Sequence, residues 1–257
     1  MNIVMIVPGL AQGGYCENCL RDAALLSAFG KLGHEVTVVP LYLPFDANMK
    51  DGNCGPIFFG GINVFLQEKS AFFRKTPEWL DRLFDNPRIL RWVSGRFSMV
   101  DARLLGSTTV SMLKGKDGRQ TKELDRLVRW LAAASEKPEI VCLSNALLAG
   151  LAGPIKDAVQ MPVICMLQGE DIFLDALMVP YNQQAWELLT HQADHIDGFV
   201  AVSRNFADLM RRRLSIRQEK IHIVYAGTAR FNFEKTAEEM ISVFRLAARN
   251  FKGLKNA

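Results

Sequence analysis

A chain of 257 residues with 49% hydrophobic and 23% charged residues can bury one large core, and its composition excludes a disordered or low-complexity protein. The formal net charge of +4 is too small to indicate a nucleic-acid-binding protein, so no nucleic-acid partner is expected. Five cysteines, an odd number in a chain of this length, favour reduced thiols in the cytoplasm over a disulfide framework.

The first residues predict a buried strand and not a secretion signal. Met1 to Gly14 contains no Lys or Arg, and its short apolar run ends at Pro8. The longest apolar stretch, Ile140 to Ile155, is interrupted by polar residues and Pro154, whereas a membrane span needs roughly 20 apolar residues. We therefore expect a soluble, cytoplasmic protein.

Short apolar runs alternate with helical patterns along the chain, which predicts a parallel sheet wrapped by helices. Each predicted strand is a continuous apolar run, as expected of strands buried on both faces. The expected fold is an α/β, doubly wound and mostly parallel αβα sandwich. The predicted strands are Asn2 to Val7, Val36 to Val39, Ile62 to Leu66, Ile140 to Leu143, Val163 to Leu167, Gly198 to Val202 and Ile221 to Tyr225.

Capping residues mark two of the predicted helices. The apolar positions from Leu20 to Leu32 repeat every three or four residues, and Gly33 follows them as a C-cap. Ser203 precedes another helical pattern as its N-cap.

A long helical section, residues 70–135, separates the third and fourth predicted strands. Between Lys69 and Lys122 the basic residues outnumber the acidic residues more than twofold. One interpretation is a set of solvated helices with their aromatic side chains packed inward. The other is a basic, aromatic surface that docks on anionic lipid or an anionic acceptor. The aromatic residues concerned are Phe72, Phe73, Trp79, Phe84, Trp92 and Phe97.

The loop from Gly9 to Tyr15 joins the first strand to the first helix. Adjacent Gly13 and Gly14 let backbone N–H groups approach a ligand, and a helix N-terminus favours phosphate. A tight turn explains the loop equally well. The spacing is not the G-x-G-x-x-G of dinucleotide-binding proteins, which argues against a dehydrogenase.

Cys16 and Cys19 open the first helix, where a thiolate is stabilised. The pair fits a thiol redox protein, half of a zinc site or plain structural thiols, and no second C-x-x-C completes a metal site. His191 and His195 lie four residues apart without a carboxylate partner, so they are interpreted as surface or interface residues.

The sequence Gln168-Gly169-Glu170-Asp171 follows an apolar strand. Open α/β sheets bind ligands at the carboxyl ends of their strands. The two carboxylates would accept hydrogen bonds from sugar hydroxyls, or one would serve as a base. The alternative is that Asp171 caps the helix that follows.

Together these elements resemble the retaining GT-B glycosyltransferases of family four. The order of the motifs carries the resemblance, which covers nearly the whole chain. The segments concerned are Ile3 through Gly13 and Gly14 to Val39, Pro56 to Gln67 (similar to the glycogen- or starch-synthase-like branch), Ala193 to Leu214, and Lys220 to Gly227.

The resemblance implies a site as well as a fold. Gly13 and Gly14 would face the diphosphate of a nucleotide-sugar donor, and Gln168 stands where the family often has a His that contacts the transferred sugar. The acceptor would be a carbohydrate or a lipid-linked molecule, and neither a cofactor nor a metal is implied. The residues expected to line the sugar or acceptor cleft are Tyr15, Asn145, Gln168, Gly169, Glu170 and Asp171.

The resemblance also implies a domain organisation. Residues 1–227 would form a Rossmann-like N-terminal domain with the helical insertion at 70–135, and residues 228–257 resemble the crossover helix that ends the family. Our hypothesis is that the donor-binding domain has been removed, by engineering or deletion, and that the chain alone transfers no sugar. The open alternatives are a stand-alone carbohydrate- or nucleotide-binding module and a thiol redox protein.

Removal of a domain would expose the former interface around Gly13, Tyr15, Gln168 and Phe173. An exposed apolar face promotes association, so weak self-association is expected.

Overall fold

Seven strands form one parallel sheet in the part of the chain that the computed structural model describes, residues 1–8, 17–42, 53–70, 76, 102–225 and 233–255. Their order across the sheet is β3-β2-β1-β4-β5-β6-β7, and every pairing is parallel. The strands are β1 (Asn2–Val7), β2 (Glu35–Pro40), β3 (Asn53–Cys54), β4 (Ile140–Leu143), β5 (Val163–Leu167), β6 (Gly198–Ala201) and β7 (Ile221–Ile223).

Helices connect the strands and cover both faces of the sheet, which confirms the predicted α/β, Rossmann-like fold. They are α1 (Glu17–Lys31), α2 (Gly61–Lys69), α3 (Ala102–Leu113), α4 (Thr121–Ala132), α5 (Ala152–Val159), α6 (Glu170–Ala176), α7 (Tyr181–Ala193), α8 (Arg204–Arg213) and α9 (Phe233–Lys255). Short 3₁₀ turns lie at Gly115–Asp117, Ala146–Leu151 and Gln218–Lys220.

Alternate residues of the central strands point into two separate cores. On one face, Ile3 and Met5 of β1 pack with Phe29 of α1 and Phe244 of α9. On the other face, Val4 and Ile6 belong to a larger core that includes apolar residues of α3, α4, α5, α7 and α8. The central strands are buried on both faces, which explains why they form continuous apolar runs in the sequence.

The predicted strand Ile62 to Leu66 is wrong, because this segment lies in helix α2. Among the side chains of α2 that the structure describes, the buried ones repeat with a helical period: Asn63, Val64, Gln67 and Glu68. A short apolar run does not by itself distinguish a strand from a buried helix. The strand that pairs with β2 is β3, which is only two residues long.

The described part of the 70–135 section contributes to the main core. Val110 and Leu113 of α3 and Leu124 and Leu127 of α4 are buried against the sheet. The six aromatic residues from Phe72 to Phe97 that carry the surface hypothesis lie outside the described residues. Within the described part of the chain, no helix has the length and apolarity needed to cross a membrane.

Two predicted caps are confirmed. Gly33 ends α1 with a φ of 76°, in the left-handed region where glycine avoids strain, and the N–H of His34 donates to the carbonyl of Phe29. Ser203 precedes α8, and its Oγ accepts a hydrogen bond from the N–H of Phe206 at 3.2 Å.

Replacing Ser203 by Ala is expected to lower the free energy of unfolding by about 1 kcal/mol, because the N–H of Phe206 loses its acceptor. Urea unfolding of the S203A variant measures the change. Exposed Ser242 in α9, whose hydroxyl bonds within its own helix, provides the matched control S242A. Equal stabilities of S203A and S242A would contradict a capping role for Ser203.

Candidate functional site

The candidate site lies at the carboxyl ends of β1, β4 and β5. The strand order reverses between β1 and β4, because the chain runs outward from β1 toward β3 on one side and from β4 toward β7 on the other. Connections on the two sides of such a switch point separate and leave a crevice in which α/β proteins bind ligands. Ser144 and Asn145 follow β4 here, and Gln168 to Asp171 follow β5.

Gln168 links three parts of this edge through its side-chain amide. The amide Oε1 accepts a hydrogen bond from Nη1 of Arg21 at 2.8 Å, and Nε2 donates to Oδ1 of Asp22 at 3.2 Å. The same Nε2 donates to the carbonyl oxygen of Ser144. The backbone carbonyl of Gln168 also accepts from Asn18 Nδ2 at 3.4 Å. Gln168 therefore joins α1 to the ends of β4 and β5.

Asp22 is a buried carboxyl group in the second turn of α1, with 2% of its surface exposed. Burial raises the pKa of Asp22 from 3.8 to about 7, because the ionised form loses its hydration. The Gln168 amide, the Ser144 hydroxyl and the Arg21 charge lower this pKa, but by less than burial raises it. Asp22 therefore changes its charge near neutral pH.

Glu170 bridges two backbone segments with its carboxylate. One oxygen accepts from the N–H of Ala146 at 2.9 Å, and the other accepts from the N–H of Gln168 at 2.8 Å. Burial raises the pKa of Glu170, while these backbone hydrogen bonds oppose the rise. The bonded carboxylate holds the loop after β4 against the loop after β5, which is a structural role.

Asn145 and Asp171 lie on either side of this bridge. Asn145 Oδ1 accepts from the N–H of Leu147 at 3.0 Å and so caps the short turn Ala146–Leu151. Asp171 is half-buried in the first turn of α6. The expectation that Asp171 caps this helix is wrong, since α6 begins at Glu170 and its N-cap is exposed Gly169, with a φ of 94°.

The structure thus brings Asn145, Gln168, Gly169, Glu170 and Asp171 together at one edge of the sheet. Gly13, Gly14 and Tyr15, which were expected to face the donor, lie outside the described residues. Cys16 and the side chain of Cys19 also lie outside them, so their redox, metal and structural interpretations stay open.

Sequence reasoning missed four residues of this edge: Asn18, Arg21, Asp22 and Ser144. A signal for one of them was present. Asp22 lies three residues before Leu25 and seven before Phe29, both fully buried, so it shares the buried face of α1. A carboxyl group on the core face of a helix needs a polar partner, and that partner, Gln168, is 146 residues away in sequence.

The histidine pair is not a metal site within the described structure. The rings of His191 and His195 are 5.9 Å apart, and both residues are exposed, as predicted. No group of three or more potential metal ligands occurs among the described residues.

Residues 110–229 match the sequence model of Glycosyltransferase Family 4. The matched segment contains β4 to β7 and therefore includes Asn145 and the segment Gln168 to Asp171. The family resemblance found in the sequence is confirmed over this segment. No curated protein matches the chain.

Several solved structures are similar in shape at low sequence identity. They include the lipopolysaccharide outer core galactosyltransferase WaaB in its apo form (13% identity, TM-score 0.46, covering 89% of this chain and 46% of WaaB). Another is UGT89C1 of Arabidopsis thaliana complexed with UDP (13% identity, TM-score 0.47, covering 87% of this chain and 48% of UGT89C1). A third is TcCGT1 in complex with UDP (10% identity, TM-score 0.49, covering 90% of this chain and 52% of TcCGT1). The chain spans about half the length of these structures.

Proposed function

We propose that this chain is the acceptor-side half of a nucleotide-sugar-dependent glycosyltransferase. The observation that supports this most strongly is the overlap of the family match with the polar edge at the ends of β4 and β5. Sugar transfer requires the donor phosphates to be held against an acceptor hydroxyl in a closed cleft. In this proposal, the polar edge is one wall of that cleft.

Three positions at this edge suit contact with a sugar. Asp171 carries a half-exposed carboxylate, Gly169 exposes its backbone, and Asn145 lies across from them after β4. Carboxylate and amide groups are good hydrogen-bond partners for hydroxyl groups. Glu170 is less suited to binding a sugar directly, since both of its oxygens already accept backbone hydrogen bonds.

The donor side of the cleft belongs to the proposal as well. Gly13 and Gly14 would face the donor diphosphate, and a second domain would hold the nucleotide. Because this chain supplies one wall, it is expected to transfer no sugar by itself. The acceptor would be a carbohydrate or a lipid-linked molecule, and retaining transfer in this family needs neither a metal nor a cofactor.

The test is a titration of the ¹⁵N-labelled chain, followed by NMR, with UDP- and GDP-linked sugars and then with oligosaccharides. We expect no saturable binding of the nucleotide sugars. An oligosaccharide related to the acceptor should shift the amide signals of Asn145 and of Gln168 to Asp171. Tight binding of a nucleotide sugar would instead indicate a stand-alone binding module. Saturable oligosaccharide binding that leaves those amide signals in place would contradict the acceptor site.

Replacing Asp171 by Ala is expected to weaken saccharide binding roughly tenfold, since a charged acceptor is lost from the edge. The D157A variant is the matched control, because Asp157 is an exposed carboxylate on α5. The NMR titration measures both affinities. Equal losses in the two variants would exclude Asp171 from the site.

Two further expectations from the sequence stay predictions. Contact of the 70–135 section with anionic lipid is tested by co-sedimentation with vesicles containing phosphatidylserine. Weak self-association through the cleft face is tested by sedimentation velocity over a range of protein concentrations, and a monomer at every concentration would exclude it.

A further inference from the structure

Only one of the two possible orientations of the Gln168 side-chain amide fits its hydrogen-bond partners. A guanidinium group only donates hydrogen bonds, and a backbone carbonyl only accepts them. The partners Arg21 and Ser144 O therefore require Oε1 on the Arg21 side and Nε2 on the Ser144 side. A flipped amide would place donor against donor and acceptor against acceptor.

Both N–H groups of this amide are already used. One donates to the carbonyl of Ser144 and the other to Oδ1 of Asp22, at 3.2 Å. The residue is also buried, with 7% of its surface exposed. A sugar hydroxyl that accepted from Nε2 would have to displace one of these two partners and leave a buried acceptor unsatisfied.

We propose that Gln168 is a positioning residue whose amide does not donate to a sugar: together with Asp22, Arg21 and Ser144 it forms a clamp that holds the first turns of α1 against the ends of β4 and β5. The significance of this clamp for sugar transfer rests on the proposed function, since α1 follows the loop expected to face the donor. The clamp itself is a property of the ligand-free chain.

The clamp contains a group that responds to pH. Asp22 has a pKa of about 7 and accepts directly from the Gln168 amide, which in turn accepts from Arg21. The Ser144 hydroxyl also lowers the pKa of Asp22. Ionisation of Asp22 therefore changes the charge at one end of a hydrogen-bonded chain that ends at Arg21.

Other ionisable groups surround the clamp on each packed element. On β4, Cys142 is buried, and the charge of Asp22 helps to raise the pKa of its thiol. At the start of α6, the carboxylate of Glu170 holds the backbone N–H of Gln168. On α9, Glu234 pairs with Lys31 at the other end of α1, nine residues from Asp22, which is about 13 Å along the helix axis. Arg21 is the positive charge that acts on Asp22 directly.

The experiment follows the Arg21 Nε–Hε and Gln168 Nε2–H₂ signals of the ¹⁵N-labelled chain by NMR from pH 5 to pH 9. In the unmodified chain we expect both signals to shift with one midpoint near the pKa of Asp22. In D22N the shift should be lost from both. In Q168L the shift at Arg21 should fall to the small remainder caused by the charge of Asp22 alone.

Gln192 provides the matched control. It is a buried glutamine on α7 whose Nε2 donates to the carbonyl of Leu113 at 3.0 Å and to no residue of the clamp. The Q192L variant should lose a comparable hydrogen bond yet keep the full shift at Arg21. Hydrogen exchange of the amides from Asp22 to Leu25 should become roughly tenfold faster in Q168L and unchanged in Q192L.

Persistence of the full Arg21 shift in Q168L, or of both shifts in D22N, would overturn the clamp. Unchanged hydrogen exchange in α1 of Q168L would overturn it as well. If Q168L does not fold, D22N decides, since Asn keeps one acceptor oxygen for Gln168 and carries no charge. None of these signals needs a ligand, so a failure of the clamp is distinct from a failure to bind saccharide.

Discussion

Replacing Asp22 by Asn is expected to stabilise the chain at pH 8 and to flatten the pH dependence of its stability. The unfolded chain releases the Asp22 proton near pH 3.8, whereas the folded chain keeps it until about pH 7. Between these values the folded state binds more protons than the unfolded state, so the free energy of unfolding falls as pH rises. Below pH 3.8 both states hold the Asp22 proton, so Asp22 no longer makes the free energy of unfolding depend on pH.

The size of the effect follows from the shift in pKa. One pKa unit corresponds to about 1.4 kcal/mol, so ionised Asp22 lowers the stability by up to about 4 kcal/mol above pH 7. From pH 5 to pH 8, the stability of D22N relative to the unmodified chain should rise by about 3 kcal/mol. Urea unfolding at four pH values over this range measures the difference.

Exposed Asp125 on α4 provides the control variant D125N, which should follow the pH dependence of the unmodified chain. A D22N variant that is less stable than the unmodified chain at pH 8 would show that ionised Asp22 is stabilised by its partners. In that event, Gln168, Ser144 and Arg21 would together outweigh the loss of hydration.

Replacing Phe244 by Ala is expected to lower the free energy of unfolding by about 3–5 kcal/mol. Phe244 lies at the middle of α9, is fully buried and packs on Phe29 of α1 with ring centroids 6.0 Å apart. Its removal would leave a cavity between α1, α9 and the sheet. Thermal or urea unfolding of F244A measures the loss.

Leu246 lies two residues further along α9 and has 44% of its surface exposed, so L246A should change the stability by less than about 0.5 kcal/mol. A loss below about 1 kcal/mol in F244A would mean that α9 is a loosely attached segment. The expected large loss would mean that α9 folds cooperatively with the sheet. This cooperativity is what our hypothesis of a retained crossover helix requires.

These two predictions concern the same layer of the molecule. α1 and α9 pack side by side on the same face of the sheet, with Phe29 facing Phe244 and Asp22 facing Gln168. Apolar packing secures the helix toward α9, and the clamp secures its beginning at the edge of the sheet.

The elements of this chain were largely predictable from its sequence, because their signals are local. Continuous apolar runs identified the central strands such as β4 and β5, and single residues identified helix ends at Gly33 and Ser203. The wrong strand prediction at Ile62 to Leu66 also came from a purely local signal. This five-residue segment, apolar except for Asn63, fits a strand or a buried helix, and only the packing of α2 against α3 and α4 decides between them.

The sequence alone determined that polar residues follow β5 at the ligand-binding edge of a parallel sheet, and it identified Gln168 to Asp171 as candidates. Only the tertiary structure decided what each of them does. Glu170 accepts from two backbone N–H groups, and Gln168 bonds to Asp22 across 146 residues of chain. Such contacts depend on the strand order and on how α1 packs against the sheet. Local periodicity reports only which face of a helix or strand is buried, and it carries no information about the distant residue that will meet it.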